Sequence, residues 1–433
     1  MEDLSRMSIG LHLIGRSLKK GLLSRRPIPE SFLADIRTWV EQAAPDIIQG
    51  SRMGGSGSKK GGGTATLYLT LHPVAEDVEI AAPDPGLIYV TAVTSAIGSG
   101  YHVFLCELLR ALGEDLGIEW TGDPDDTAAD DTGFWLTADR EALDRAMFQW
   151  LASEASAARY IGEQGLERPH IGIEPGVRFE FEGAVATLFG PRDNDWIERV
   201  ETYPAAGIHV FPWWTDDRGA TFFLNRALTR MWTEVRWREP LLPGEDALQD
   251  VVINDLEAAW ELDPELDYPW PEWGELARYR DRKLPAKPDI LPLRPLIGYR
   301  RRPITVIYDG WQIRVPGTFA EEWFPGSWWS GDKGRDVEIK VIESERRSAQ
   351  ELIDNIGKVM EKGTDPSDLF TIRVGEVLGR GHFFPSTAHD EDVTVLRAIS
   401  AVNGSAVGLH IMFTNPDQRD WAIETWKTLK PAR

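Results

Sequence analysis

Prolines at 285, 288, 292, 295 and 303 crowd into one stretch, "KLPAKPDILPLRPLIGYRRRP". Each removes a backbone donor and fixes its own φ, so no helix or central strand can run through them. Residues 284–302 therefore read as a stiff, extended connector. They divide the chain of 433 residues into 1–283 and 303–433, in keeping with domains on the order of 150 residues.

The two sides differ in apolar period. Upstream, Phe32, Leu33, Ile36, Trp39 and Val40 fall at helical spacing over 29–44. "TATLYLTLHP" and "GLIYVTAVT" read as strands, and the spacing predicts helices over 101–116 and 139–160. "VRFEFEGAVATLFG" alternates and turns like a hairpin. Three further helices are expected within 220–283, the last with Pro271 in its first turn. This half is expected to be an α/β region with a helical subregion. Downstream, "ITVIYDGWQIRVP", "DVEIKVIES", "LFTIRVGEVLGRGHFF" and "VTVLRAISAVNGSAVGLHIMFTN" read as strands, with Asn403-Gly404 as a hairpin turn. "SAQELIDNIGKVM" and "PDQRDWAIETWKTL" read as helices. An antiparallel α+β sheet flanked by helices is expected there.

The order of the "GWQIRVP" strand, the mid-domain helix and the late hairpin running into "FTNPDQRDWAIETWKTL" resembles the Mog1/PsbP-like domains. The resemblance covers 303–433. It implies an α/β/α sandwich used mainly for protein binding.

Lys and Arg number 47 against 69 Asp and Glu, a net charge of −22. Such a surface repels phosphate backbones, which argues against nucleic acid and points to a protein partner with a basic surface. Cys106 is the single cysteine, so no internal disulfide or cysteine-rich zinc cluster is expected. That usage fits a reducing compartment, and a cytoplasmic location is expected. No run of eighteen apolar residues marks a membrane span. Over 4–26, Leu4, Ile9, Leu13 and Leu22 alternate with Arg6, Arg16, Lys19, Lys20, Arg25 and Arg26. Arg16 interrupts any signal-peptide core. Two readings stay open: a basic amphipathic helix touching a membrane or partner, or an element docked on its own domain. Gly10, Gly15 and Gly21 disfavour the helix.

"GGSGSKKGGG" (54–63) lacks the Gly-Lys-Ser/Thr order of a phosphate loop and precedes a strand, so it reads as a plain loop. "SAIGSGYH" holds Gly98 and Gly100 before a helix, with Glu119 downstream, and resembles the opening of a dinucleotide fingerprint. Val103 stands where the third glycine belongs. What remains is either a capped glycine turn or an anion site made by Ser99, Gly100, Tyr101 and His102.

His102 and Cys106 share a helix face, but Phe104, Leu105, Leu108 and Leu109 around the cysteine mark a buried structural thiol. Asp123, Asp125, Asp126, Asp130 and Asp131 lack the calcium-loop pattern, broken by Thr127, and read as a solvated loop. His209, Trp213, Trp214, Asp216, Asp217 and Arg218 form one aromatic-polar loop. His382, His389, Asp390, Glu391 and Asp392 form another. Neither has metal-ligand spacing, and both read as binding surfaces or core plugs. Arg226, Arg230, Arg236 and Arg238 are expected to pair with carboxylates such as Glu234 and Glu239.

No nucleophile, base and stabiliser come together, so no catalytic residue, metal or cofactor is expected. The reading is a non-enzymatic protein-interaction module presenting acidic and aromatic surfaces at Trp213, Trp214, Trp323, Trp328 and Trp329. By analogy alone, toxin-neutralising and bacterial defence accessory proteins have this look. The alternative is an enzyme or small-molecule sensor using the turn at Gly98–His102.

Overall fold

The structure is a computed structural model. It describes residues 8–18, 28–55, 64–121, 130–165, 169–173, 176–286, 295–344, 347–360, 365, 368–388 and 391–432. The first elements in chain order are β1 (Gly10–Ser17), α1 (Pro29–Ala43), β2 (Gly50–Gly55), β3 (Ala65–Thr70), β4 (Val78–Asp84), β5 (Leu87–Val93), α2 (Ser99–Leu116) and β6 (Ile118–Thr121). Next come α3 (Phe134–Thr137), α4 (Arg140–Glu163), β7 (His170–Ile171), β8 (Val177–Phe179), β9 (Val185–Thr187), β10 (Gly190–Arg192) and α5 (Asn194–Thr202). Helices α6 (Ala220–Thr233), α7 (Glu245–Leu262) and α8 (Trp270–Tyr279) follow. The rest is β11 (Ile304–Tyr308), β12 (Trp311–Val315), β13 (Ala320–Phe324), β14 (Ser327–Gly331), β15 (Arg335–Glu343), α9 (Ala349–Met360), β16 (Phe370–Val374), β17 (Val377–Ala388), β18 (Glu391–Val402), β19 (Ser405–Phe413), α10 (Arg419–Lys427) and β20 (Lys430–Pro431). Among the described residues no helix is long and apolar enough to cross a membrane.

The chain is α+β and forms two compact units. One comprises residues 1–173, 182–233 and 251–270, the other 174–181, 234–250 and 271–433. This division differs from the expected 1–283, 284–302 and 303–433. The described part of the proline stretch belongs to the second unit, and two of its residues enter the core: Ile297 and Tyr299 are buried. The Ile297 N–H donates to Glu272 Oε1 at 2.8 Å, and Tyr299 stacks on Phe179 at 4.8 Å. Two large apolar side chains among the prolines are enough to pull the segment inward.

In the first unit an antiparallel sheet runs β2-β3-β4-β5-β1-β6. Helix α1 packs on it through Phe32, Leu33, Ile36 and Val40. The possible helix over 4–26 is instead an interior strand where it is described, with residues 1–7 and 19–27 outside the described set. Leu11 and Leu13 are buried at period two. At Gly15 a Cβ would lie 2.7 Å from both Ile118 and Trp120 side chains, so only glycine fits. Of the loop expected over 54–63, Gly54 and Gly55 belong to β2, and 56–63 lie outside the described residues. The expected hairpin over 177–190 does not form. Strand β8 pairs with β11, while β9 pairs with β10 and, in parallel, with β7.

The second unit holds a four-stranded sheet, β20-β12-β11-β8, and a seven-stranded antiparallel one, β13-β14-β15-β19-β18-β17-β16. Asn403-Gly404 makes the β18–β19 turn, with Gly404 at φ 90°. Leu352 and Ile353 of α9 cover Ile399, Ala401 and Ala406.

Candidate functional sites

The start of α2 is sealed. Ser99, Gly100, Tyr101 and His102 are all buried. A Cβ on Gly100 would lie 2.1 Å from the Thr215 carbonyl oxygen. The Tyr101 N–H points at the Trp213 carbonyl at 3.4 Å, and the Trp213 N–H donates to the Ile97 carbonyl at 2.9 Å. Backbone oxygens of the 213–215 loop thus occupy the place an anion would take. Burial, then the charge of Asp77, pushes the Tyr101 hydroxyl up. The glycines serve close approach, and a ligand does not fit at this turn as it stands.

Behind the turn, folding gathers three groups. His102 Nδ1 lies 2.9 Å from Thr94 Oγ1, and Nε2 lies 3.3 Å from Asp130 Oδ1. With Cys106 these residues offer three ligand atoms within 4.8 Å of one another. Asp130 is locked: Oδ1 accepts from Thr132 N at 2.8 Å and Thr132 Oγ1 at 2.7 Å, and Oδ2 from Trp135 N at 2.6 Å. Burial raises its carboxyl, but His102 and the Thr132 hydrogen bonds outweigh that and hold it below the usual carboxylate range. The Cys106 thiol is pushed far up by burial, then by the charge of Asp130. A buried thiol of that kind is no nucleophile. Asp130 is thus part of the core rather than of a solvated loop; Asp123, Asp125 and Asp126 lie outside the described residues. Nothing in the local sequence announces its partnership with His102.

The remaining polar loops are structural in part. Trp213 is core, and the half-buried Trp214 stacks on Phe148 at 4.7 Å. Asp216 pairs with Arg140. His382 is buried, and His389 and Asp390 lie outside the described residues. Arg226, Arg236 and Arg238 meet carboxylates other than those of Glu234 and Glu239. In the first unit Arg226 pairs with Asp255. In the second, Arg236 and Arg238 meet Glu245, and Arg236 also meets Glu321. Cavities of about 770 and 670 Å³ lie along α4, neither lined by any residue singled out above.

A different surface forms at the edge of the seven-stranded sheet. Strand β13 is its terminal strand, and its register with β14 sets Trp323 opposite Trp328 and Glu322 opposite Trp329. Trp328 in turn opposes Ile339. On this face Trp328 is fully buried, but Trp323, with a strand on one side only, is 53% exposed. Trp328 therefore cannot serve as an interface residue. The other face carries Glu322, Phe324, the half-buried Trp329 and Glu338, which opposes Trp329. Phe324 is 48% exposed, and both glutamates are exposed. Asp336, next on that face, takes a hydrogen bond from Trp329, yet burial pushes its carboxyl up to about 6. Further along lie Lys340 and His410, the latter 4.0 Å from Glu338.

No protein-family model matches the chain, and no curated protein matches it. Three solved structures are similar to part of it. A protein from Bacteroides thetaiotaomicron shows 12% identity and a TM-score of 0.25, over 29% of this chain and 46% of that one. The chain thus spans less than half of that relative. The PsbP of the cyanobacterium Synechocystis shows 10% identity and a TM-score of 0.22, over 29% of this chain and 88% of that one. A protein of unknown function from Pseudomonas aeruginosa shows 8% identity and a TM-score of 0.19, over 30% and 99%. A PsbP structure is therefore among the folds that a part of this chain weakly resembles, and at these scores the likeness carries no statement about function.

Proposed function

We propose that the chain is a non-enzymatic protein-binding module whose docking face is the acidic-aromatic edge of the seven-stranded sheet. The observation that carries this is the grouping of exposed Glu322, Phe324 and Glu338 around Trp329 on one sheet face. An aromatic ring framed by carboxylates suits a guanidinium or ammonium, which the ring face and the acids attract together. The partner is accordingly a protein with a basic surface, and the net charge of −22 would steer it in. A toxin-neutralising or defence accessory role is one setting for such a module, on analogy alone.

The test is a parallel capture from native cells with the wild-type chain and a Glu322→Lys/Phe324→Ser/Glu338→Lys variant, its fold checked by circular dichroism. A basic protein retained by the wild type alone, and binding the variant at least about tenfold more weakly when purified, is the expected result. Identical retained sets would remove the proposal.

A further inference from the structure

We infer that His102, Cys106 and Asp130 form an interior binding site for one zinc-class divalent cation. Helical spacing puts His102 and Cys106 on one face of α2, and the chain returns 24 positions beyond Cys106 to add Asp130. The three ligand atoms lie within 4.8 Å of one another, and all three side chains are shielded from water. A tetrahedral zinc with bonds of about 2.0–2.2 Å to nitrogen and oxygen sets those ligands roughly 3.3–3.6 Å apart. Nε2 and Asp130 Oδ1 are 3.3 Å apart.

The imidazole is also oriented for a metal. His102 is fully buried, and its Nε2 faces Asp130 Oδ1 at 3.3 Å without the alignment of a good hydrogen bond. A cation held between the two would bind both where their direct contact is poor. The other nitrogen is already placed for the task. With a cation on Nε2, the Nδ1–H donates to Thr94 Oγ1 at 2.9 Å, and the Thr94 hydroxyl donates onward to the Ile9 carbonyl at 3.2 Å. That is the outer support a ligating imidazole uses. The bonds from Thr132 and Trp135 fix the carboxylate likewise.

Charge and softness choose the ion. A thiolate, a carboxylate, a neutral imidazole and a dication sum to zero, which suits an interior. Binding would release the Cys106 proton, so uptake weakens in acid. Sulfur and nitrogen donors disfavour magnesium and calcium and favour zinc. Among the described residues the group has three ligating side chains. The competing arrangement is an imidazolium–carboxylate pair with the thiol as bystander.

The purified full chain, stripped of metal under reducing conditions, is titrated with zinc and with cobalt(II). One equivalent should bind, the melting temperature should rise, and cobalt should give thiolate charge-transfer absorption. Cys106→Ala, folded by circular dichroism, should lose that absorption and bind at least about tenfold more weakly. X-ray absorption of the zinc-loaded wild type should show one sulfur at about 2.3 Å, a readout that stands even where the variant does not fold. Absence of stoichiometric binding to folded wild-type protein, or a metal with no sulfur neighbour, would overturn the site.

Discussion

Trp213 and Trp323 look alike in the sequence, each beside another aromatic residue and a short acidic run. The fold puts them to opposite uses. Trp213, 1% exposed, sits in the core against Phe222, Phe104 and Tyr101, and its loop closes the start of α2. Trp323, 53% exposed, lies on a sheet-edge strand with ring neighbours Tyr308 and Trp328. Aromatic richness therefore marks no surface by itself. What decides is how many elements flank the ring: a loop wrapped over a helix start buries it, and a terminal strand leaves one side open.

The sharpest test of this contrast is the pair of alanine variants. Trp213→Ala removes a large side chain from a packed core and should cost about 3–5 kcal/mol. Trp323→Ala gives up two ring contacts on a half-open strand and should cost only about 1 kcal/mol. Denaturant midpoints of the two proteins measured side by side give the comparison. A costly Trp323→Ala would mean that the hairpin edge is not free surface. A mild Trp213→Ala would mean that the α2 start is looser than its contacts show.

Two helical glycines of the same unit sharpen it further. Gly100→Ala drives a methyl group into the Thr215 carbonyl, which the backbone cannot easily yield, and should cost about 1–3 kcal/mol. Gly162, in α4, has nothing within 4 Å of its Cβ position, so Gly162→Ala should stabilise by up to about 1 kcal/mol. Thermal melts should move in opposite directions. Equal shifts would show that Gly100 is not there for close packing.

Much of the architecture was legible because it rests on period. The apolar faces of α1 and α2 and the Asn403-Gly404 turn follow from spacing and turn chemistry alone. Strand β1 is hidden by its arginine and glycines, since what Gly15 is for depends on Ile118 and Trp120, more than a hundred positions away. Asp130 looks like one more acid in a solvated run, since its approach to within 3.3 Å of the α2 histidine is a product of tertiary folding. The proline stretch was read as a linker because its turn chemistry is local, whereas the burial of Ile297 and Tyr299 is not. The acidic-aromatic face needed strand register: Glu322, Trp329 and Glu338 align only once β13, β14 and β15 pair.

If the first unit is as closed as the α2 start implies, one of its buried histidines, His72, should betray that through pH. His72 is fully buried, with neither ring nitrogen hydrogen-bonded. Burial, then the charges of Arg226 and Arg230, lowers its pKa to about 3. Asp255, facing the same region, is already paired with Arg226. In the unfolded chain the ring takes up a proton near its ordinary value of about 6.5. Between those two values the unfolded state binds more protons than the folded one, so stability falls as pH drops through the window. At pH 5 the loss attributable to His72 should be about 2 kcal/mol relative to pH 7. A His72→Leu variant, similar in size and unable to titrate, should lack that component. The measurement is the denaturant midpoint of both proteins at pH 7 and pH 5. Should the two lose stability in parallel, His72 titrates normally in the folded chain, water reaches it, and the interior is not closed as the contrast with the exposed sheet edge requires.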